Sequence, residues 1–377
     1  MPAPDWPPVL SGMPLEELAE ALSPFPRFRA AQILKWIASG AASFDEMTDL
    51  PLAMRAELSA RFLPRPRVGA TSLRGDDGAE KLVMTLADGA RVEAVLLEDA
   101  RPRDRAENGR AGGRDSARYT ACLSTQVGCP AGCAFCATGA MGFTRDLRSA
   151  EIVEQFLLLT ERAKTGAARE DSPPGRAPEG HPVSNVVVMG MGEPLLNLAE
   201  LRRAVAVMGD RRGMNFSSRR ITVSTCGVAE GIASLADEGP AARLALSLTT
   251  ADEGLRRRLM PFTARGPLRE VKEALLYFQE KGGGRVTLEA ALLGGLNARD
   301  RDAREMAAFA SGLDVGVNLI PWNPVKGLDF EGAPLREPSA AEVEAFAKKL
   351  TALGLNVTRR FRRGRGVAGA CGQLGGA

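Results

Sequence analysis

The sequence predicts an α/β protein: a partial, TIM-like (β/α) barrel preceded by a helical accessory domain and a small β-hairpin region. In residues 119–377, short apolar runs alternate with segments of helical periodicity, which is typical of βα units around a parallel sheet. In residues 13–63, apolar residues recur at helical spacing. Between these regions, Asp88-Gly89 separates strand-like runs at 81–86 and 91–97 and predicts a hairpin.

These patterns divide the chain into three predicted parts. Residues 1–65 form the helical accessory domain, residues 66–118 hold the hairpin and a mobile basic insertion, and residues 119–377 form the barrel with a flexible C-terminal tail. Seven strand-like runs build the barrel, at residues 119–124, 185–190, 220–224, 243–248, 285–290, 315–320 and 356–361. Barrels of this kind carry their chemistry on the loops after the strands' carboxyl ends.

Two further local patterns refine the barrel. The proline-rich stretch 164–182 predicts a second loop insertion. Ser339 and Glu342 stand at the spacing of a capping box, which predicts the start of a helix.

The composition limits which kinds of protein this chain can be. The 377 residues are 45% hydrophobic, which is enough for a substantial core. No apolar run approaches the ~20 residues of a membrane span, and residues 1–8 lack the pattern of a secretory signal. We therefore expect a cytoplasmic monomer with reduced cysteines and no membrane partner. The net charge is only +3, but arginines concentrate in residues 101–118 and 359–365, and such runs can contact phosphates.

The most informative motif is a C-x3-C-x2-C run formed by Cys129, Cys133 and Cys136. Three thiolates in one short loop select an iron–sulfur cluster or zinc. A four-iron cluster with three protein ligands keeps one iron open for a small molecule. A zinc site with Cys122 as the fourth ligand is the alternative, although zinc sites usually pair two C-x2-C units or add histidines. A disulfide framework is less favoured because no secretory signal is present.

Polar residues follow several other predicted strands. Gly192 and Glu193 lie in a G-x-G-E-P run after the second barrel strand, where glycines let a ligand approach and a carboxylate can accept hydrogen bonds from an ammonium group. Ser224 closes the third strand, Ser247 the fourth, and Asn323 follows a later one. Their shared position at strand ends predicts a common ligand site.

Together these motifs resemble the radical S-adenosylmethionine (SAM) superfamily, and within it the RNA adenine carbon-2 methyltransferases of ribosomal and transfer RNA. The matching stretches are 28–36, 44–49, 122–129, 143–147, 189–197, 318–324 and 370–374. The resemblance covers nearly the whole chain, apart from the two insertions.

The resemblance implies a role for each site residue. Cys129, Cys133 and Cys136 would hold one 4Fe-4S cluster. Cys371 would be the cysteine that accepts a methyl group, Cys122 its partner in a transient disulfide, and Glu93 the proton acceptor. The residues that would line the SAM site are Gly192, Glu193, Ser224, Ser247, Leu248, Thr249 and Asn323. From position alone, a glutamate in a strand such as Glu93 is expected on the solvent face, and a terminal cysteine carries no role.

The family's chemistry explains why two cysteines are needed. An aromatic carbon is a poor nucleophile, whereas a thiolate can take a methyl group from SAM. A second SAM, cleaved by an electron from the cluster, yields a radical that activates the methyl on Cys371 for attack on adenine. A base then removes a proton, and Cys122 releases the product by thiol–disulfide exchange. The implied partners are large-subunit (23S) ribosomal RNA, transfer RNA and an electron donor such as flavodoxin, with two SAM molecules used per turnover.

Some positions depart from the family's pattern. Thr249 stands where the family usually has histidine, and Cys226 where serine is common. The stretch before Cys371 contains Arg365, Gly366 and Ala368 where the family carries acidic residues. Two alternatives therefore stay open: methylation of adenine carbon 8, and a non-catalytic RNA-binding paralogue whose iron–sulfur cluster is structural or senses redox state.

Overall fold

A ten-stranded sheet forms the centre of the molecule. The computed structural model describes residues 7–99, 118–167, 181–359 and 363–375 of the chain. The strands are β1 (Gly69–Arg74), β2 (Ala79–Thr85), β3 (Arg91–Asp99), β4 (Arg118–Cys122), β5 (Gln126–Gly128), β6 (Phe143–Asp146), β7 (Val183–Val188), β8 (Ile221–Thr225), β9 (Arg243–Ser247), β10 (Val286–Leu292), β11 (Val315–Pro321), β12 (Asp329–Phe330), β13 (Ala333–Pro334) and β14 (Val357–Arg359). The helices are α1 (Leu15–Ala21), α2 (Phe28–Ser39), α3 (Leu52–Arg61), α4 (Ala137–Ala140), α5 (Ser149–Ala167), α6 (Leu198–Gly209), α7 (Ala229–Glu238), α8 (Glu253–Leu259), α9 (Leu268–Glu280), α10 (Asp300–Ala310) and α11 (Ala340–Ala352).

The strand order is β1-β2-β3-β4-β7-β8-β9-β10-β11-β14. Within this sheet β4, β7, β8, β9, β10, β11 and β14 run parallel, with helices between them, so the predicted partial (β/α) barrel is confirmed. The pairs β5–β6 and β12–β13 form two small antiparallel sheets of their own. The predicted hairpin is confirmed as β2 and β3, which extend the same sheet antiparallel to β4. Strand β1 was not predicted, because its side chains are mostly exposed and give no apolar alternation.

The helical accessory region is confirmed as α1, α2 and α3. Helix α2 buries Ala30, Ile33, Leu34 and Ile37, which lie on one face at the spacing of helical turns. The capping box is also confirmed: the Glu342 amide donates to the Ser339 hydroxyl at the start of α11. Among the described residues, no helix has the length and apolarity that a bilayer crossing requires.

One predicted boundary is wrong. Helix α5 continues to Ala167, so the proposed insertion at 164–182 begins inside a helix. The rest of that insertion, and residues 100–117 of the basic one, lie outside the described residues. The division at residues 65 and 118 stays a prediction.

A buried ion pair ties the accessory region to the barrel. Arg65 donates through two nitrogens to the Glu154 carboxylate of α5, at 2.8 and 2.9 Å, and its third nitrogen donates to Gly40 O and Glu161. Both Arg65 and Glu154 are buried. Removing one member of such a pair leaves an uncompensated buried charge.

We predict that Arg65→Met lowers the free energy of unfolding by about 3–5 kcal/mol, since Glu154 would stay buried without its partner. Chemical denaturation measures this change. Arg61→Met is the matched control: Arg61 pairs with Glu57 on the exposed side of α3, and its loss costs only about 0.3–0.5 kcal/mol. Equal losses in the two variants would contradict the structural role given to Arg65.

Candidate active site

The cysteine loop lies between β5 and α4, at the carboxyl end of the barrel. Its entry turn needs glycine: Gly128 has φ +73°, and a Cβ there would lie 1.9 Å from Gly142 O. Hydrogen bonds then fix the loop against the barrel, with Ala134 N donating to Leu259 O at 2.9 Å and Trp322 Nε1 to Phe135 O at 2.8 Å. The loop is therefore held from both α8 and the segment after β11.

The three loop thiols influence one another. Burial raises the pKa of Cys129 to about 12, and it holds the pKa of Cys133 well above its ordinary value. Cys136 raises both pKa values further. Thiols in such surroundings keep their protons until a metal replaces them.

The loop does not form a site for one ion. Among the described residues, no three His, Cys, Asp or Glu side chains converge closely enough to hold a single metal ion. The zinc alternative with Cys122 therefore has no structural support. A polynuclear cluster binds each cysteine through a different iron, so its ligands need not meet at one point.

Glu193 links two neighbouring loops of the barrel. Its buried carboxylate accepts hydrogen bonds from Leu195 N at 3.2 Å and Cys226 N at 2.7 Å, while its own amide donates to Gln126 Oε1 at 2.8 Å. Burial raises the pKa of Glu193. A ligand ammonium beside this carboxylate would offset the cost of its burial. Gly192 permits the turn, with φ +106° and Gln126 too close to leave room for a Cβ.

A layer of polar side chains crosses the barrel on four adjacent strands, β8 to β11. Ser224 and Ser247 hydroxyls lie 3.2 Å apart on β8 and β9. Next to them, Glu289 of β10 aligns with both Ser247 and Asn318 in the parallel register, and Asn318 Nδ2 donates to Glu289 at 2.7 Å. Sequence reasoning missed Glu289, although one acid in the otherwise apolar run 286–292 was an available signal.

Thr249 occupies an unusual backbone conformation. Its φ is +59°, which costs a β-branched residue about 1–2 kcal/mol. The conformation is imposed from both sides, because Thr249 N donates to Glu289 O at 3.1 Å and Asn297 Nδ2 donates to Thr249 O at 2.9 Å. Leu248 beside it is fully buried. These two hydrogen bonds hold the turn at Thr249 in this conformation.

The C-terminal tail (residues 363–375) folds back over the open end of the barrel. Cys371 of the tail, Cys122 of β4 and Asn323 line one cavity of about 250 Å³. Asn323 Nδ2 donates to Cys371 O at 3.1 Å, and Ala137 N donates to Gly372 O at 2.8 Å. The two mechanistic cysteines predicted from the sequence are therefore brought to one place. All six cysteines are thiols, and no disulfide is formed in this state.

Three buried amide oxygens of β11, the segment after it and the tail have no partner among the described residues, and one of them, on Asn323, belongs to a residue that lines the cavity. Asn323 Oδ1, Asn318 Oδ1 and Gln373 Oε1 are buried and accept no hydrogen bond. Unpaired buried acceptors are uncommon in native structures. Their position beside the polar layer fits a site that receives a polar ligand.

Glu93 is buried, so the expectation of a solvent-facing side chain is wrong. It is 4% exposed and points into the barrel, because its strand β3 lies inside the sheet between β2 and β4. Its Oε1 lies 3.2 Å from Lys81 Nζ, and its Oε2 accepts from Gly375 N at 2.8 Å. The side chain therefore contacts the tail that carries Cys371. Sequence reasoning missed Lys81.

Arg256 is a second buried cation that sequence reasoning missed. It is 2% exposed on α8, the helix that also binds the cysteine loop through Leu259 O. Among the described residues its hydrogen-bond acceptors are the carbonyl oxygens of Cys226 and Ser247, and its Nε has none. Its charge also opposes the rise in the pKa of Cys133 that burial causes.

Comparison with known proteins decides the family. Residues 123–307 match the model of the radical SAM superfamily, and residues 10–63 match that of the ribosomal RNA large subunit methyltransferase N-terminal domain. A probable dual-specificity RNA methyltransferase RlmN of Treponema pallidum is 45% identical over 371 residues, which are 98% of each chain. The chain belongs to the RlmN family of radical SAM RNA methyltransferases. An RlmN relative from Thermus thermophilus is 41% identical over 96% of this chain and 92% of its own.

A solved structure agrees with this assignment. A radical SAM methyltransferase from Sphaerobacter thermophilus superposes with a TM-score of 0.85 and 37% identity, over 98% of this chain and 100% of its own. The RlmN family implies an iron–sulfur cluster and SAM. The three-thiol loop and the unpaired buried acceptors of this chain fit those two groups.

We predict that Arg256→Met makes the midpoint potential of the bound cluster more negative by roughly 60 mV, a tenfold change in a one-electron equilibrium. Loss of a buried positive charge destabilises the more negative, reduced state. A redox titration followed by electron paramagnetic resonance measures the potential. Arg257→Met, which removes an exposed charge from the same helix, is the control and should leave it unchanged. An unaltered potential in Arg256→Met with a full cluster would contradict the prediction.

Proposed function

We propose that this protein methylates carbon 2 of an adenosine in 23S ribosomal RNA and in transfer RNA, through a methylated cysteine. The observation that carries the proposal is that Cys371 and Cys122 line the same cavity. Cys371 lies on the tail, which is hydrogen-bonded to α4, the helix after the three-cysteine loop. A protein that only binds RNA needs neither thiol there. The relatives named as dual-specificity RNA methyltransferases support the same activity.

Each cysteine of the site has a role in the proposal. Cys129, Cys133 and Cys136 would bind one 4Fe-4S cluster, which supplies the electron that cleaves SAM. Cys371 would accept a methyl group and carry it to the base. Asn323 holds the backbone carbonyl of Cys371. The Cys371 sulfur would therefore approach SAM and the RNA base from a fixed backbone position.

The SAM site would occupy the polar layer of the barrel. Glu193 would hold the amino group of SAM, and the other proposed contacts are Gly192, Ser224, Ser247, Leu248, Thr249 and Asn323. Two molecules of SAM would be used per turnover, one as methyl donor to Cys371 and one as radical source. Thr249 would replace only part of what a histidine offers, since a hydroxyl has no aromatic face.

Product release would use the second thiol and a base. Glu93 would accept the proton from the adenine ring. The radical adduct would also give up its unpaired electron to a one-electron acceptor. Cys122, as a thiolate, would then attack the Cys371 sulfur and form a transient disulfide. The sulfur–carbon bond breaks, its electron pair stays on the carbon, and that carbon takes up a proton to become the methyl group of the base. A cellular thiol or its equivalent must reduce this disulfide before the next turnover.

The RNA must present an unstacked adenosine to this cavity, as other enzymes that act on bases require. Arginines near the tail are the candidate phosphate contacts, but Arg359 and Arg365 are paired here with Glu344 and Glu337. Phosphate binding would have to replace those exposed pairs, which stabilise little. An electron donor such as flavodoxin, a cytoplasmic location and a monomeric state complete the proposal.

We predict that protein prepared anaerobically with an intact cluster carries a methyl group on Cys371, and that Cys129→Ala does not. Peptide mass spectrometry of the tail measures this modification. Cys226→Ser, which replaces a buried thiol but keeps a hydrogen-bonding group beside Glu193, is the matched control and should leave the methyl group in place.

The same enzyme, incubated with SAM, reductant and ribosomal RNA free of protein, should yield 2-methyladenosine after nuclease digestion. A product that matches the 8-methyladenosine standard would establish the carbon-8 alternative. Unmodified Cys371 and unmodified RNA beside a full cluster would favour the non-catalytic paralogue.

A further inference from the structure

The buried pair Lys81–Glu93 is not explained by folding alone. Lys81 is fully buried in β2, and its ammonium lies 3.2 Å from Glu93 Oε1 in β3. A buried ion pair stabilises a protein little compared with apolar side chains of the same volume. An ammonium placed here instead holds a carboxylate in one position, in a site from which water is largely excluded.

The sheet register directs both side chains into the barrel. Glu93 pairs with Val83 and Lys81 with Val95, so the two charged residues occupy the same face of the β2–β3 hairpin. Val95, on that face, lines the cavity that also contains Cys122 and Cys371. The ion pair therefore borders the place where the base would be methylated.

The two carboxylate oxygens are not equivalent. Oε1 faces Lys81, whereas Oε2 accepts a hydrogen bond from Gly375 N of the tail at 2.8 Å. A tail that moves takes this amide with it, but Lys81 is held in a strand. Oε2 is thus the oxygen that tail movement frees.

Other charged groups near Glu93 are occupied elsewhere. The β5–β6 hairpin contributes Arg145, which pairs with Asp88 and Glu151, and Asp146, which accepts from Gln126. On the tail, Arg363 donates to Glu98 O. Glu193, after β7, is held by backbone amides, and Cys122 and Cys371 are the thiols that line the cavity. Lys81 is the cation that contacts Glu93 directly.

We propose that Lys81 is the positioning residue for the proton acceptor: it holds Glu93 Oε1 so that Oε2, uncovered when Gly375 withdraws, takes the proton from the adenine ring. In this step the ring C–H bond breaks, its electron pair stays with the ring, and an O–H bond forms on Oε2. The inference rests on the proposed function. Lys81 is not among the residues that line the cavity, so the proposal gives it no contact with RNA or SAM.

Because only the late proton transfer depends on Lys81, the two halves of the reaction should separate in its variants. In Lys81→Met, methylation of Cys371 should stay near the wild-type level, while methylated adenosine falls by about 100-fold or more, the usual contribution of a positioned base. RNA joined covalently to Cys371 should accumulate, as a slow band on a denaturing gel. Lys81→Arg keeps the charge and should recover most of the RNA product.

Arg65→Met is the matched control, because it breaks a buried ion pair of the same kind far from the cavity. It should reduce folded protein without changing the ratio of Cys371 methylation to RNA product. If Lys81→Met does not fold, Lys81→Gln, which keeps a hydrogen-bond donor but no charge, should give the same separation of the two halves.

Three results would overturn the inference. RNA product within about twofold of wild type in Lys81→Met would show that the ammonium is not needed. If Lys81→Met lowered Cys371 methylation and methylated adenosine equally, with no covalent RNA adduct, the role of Lys81 would be purely structural. Wild-type enzyme without a methyl group on Cys371 would overturn the proposed function, and the role of Lys81 with it. This result comes from the wild-type enzyme alone, so it is distinguishable from the two results that concern Lys81 variants.

Discussion

The docked position of the C-terminal tail is the constraint on which the site depends. Cys371 lies far from the barrel in sequence, and it reaches the cavity because the tail backbone is bonded to three separate parts of the structure. Ala137 N holds Gly372 O from the cysteine loop, Asn323 holds Cys371 O from the segment after β11, and Glu93 holds Gly375 N from β3. Without these bonds Cys371 and Cys122 would not share a cavity.

Each of these three anchors lies at or beside a group of the proposed chemistry. The residue before Ala137 is the last cysteine of the loop, Asn323 is a proposed SAM contact, and Glu93 is the proposed base. Occupation of any one of these by its ligand or substrate therefore competes with, or strengthens, a bond to the tail.

Much of this arrangement could be predicted from the sequence, because it depends on local patterns. The βα alternation predicted the barrel, and the C-x3-C-x2-C and G-x-G-E-P runs marked loops at strand ends, where a parallel sheet brings them together. Resemblance to a family, rather than spacing, assigned Cys371 and Glu93. Position alone placed Glu93 on the wrong face, since a glutamate is buried only when a partner such as Lys81 is buried with it, and pairing between strands is not visible in a linear pattern. Glu289 and Arg256 were missed for the same reason: their partners come from other elements.

The central claim is that the docked tail places Cys371 against Cys122, and disulfide mapping tests it most directly. The three loop cysteines are replaced by serine, the protein is oxidised mildly without cluster, and cross-linked peptides are identified by mass spectrometry. A disulfide needs its two Cα atoms within about 7 Å, so it reports proximity. We predict that Cys371 joins Cys122 and not the buried Cys226. A bond of Cys371 to Cys226, or a Cys371 that stays unlinked while folded protein persists, would contradict the account.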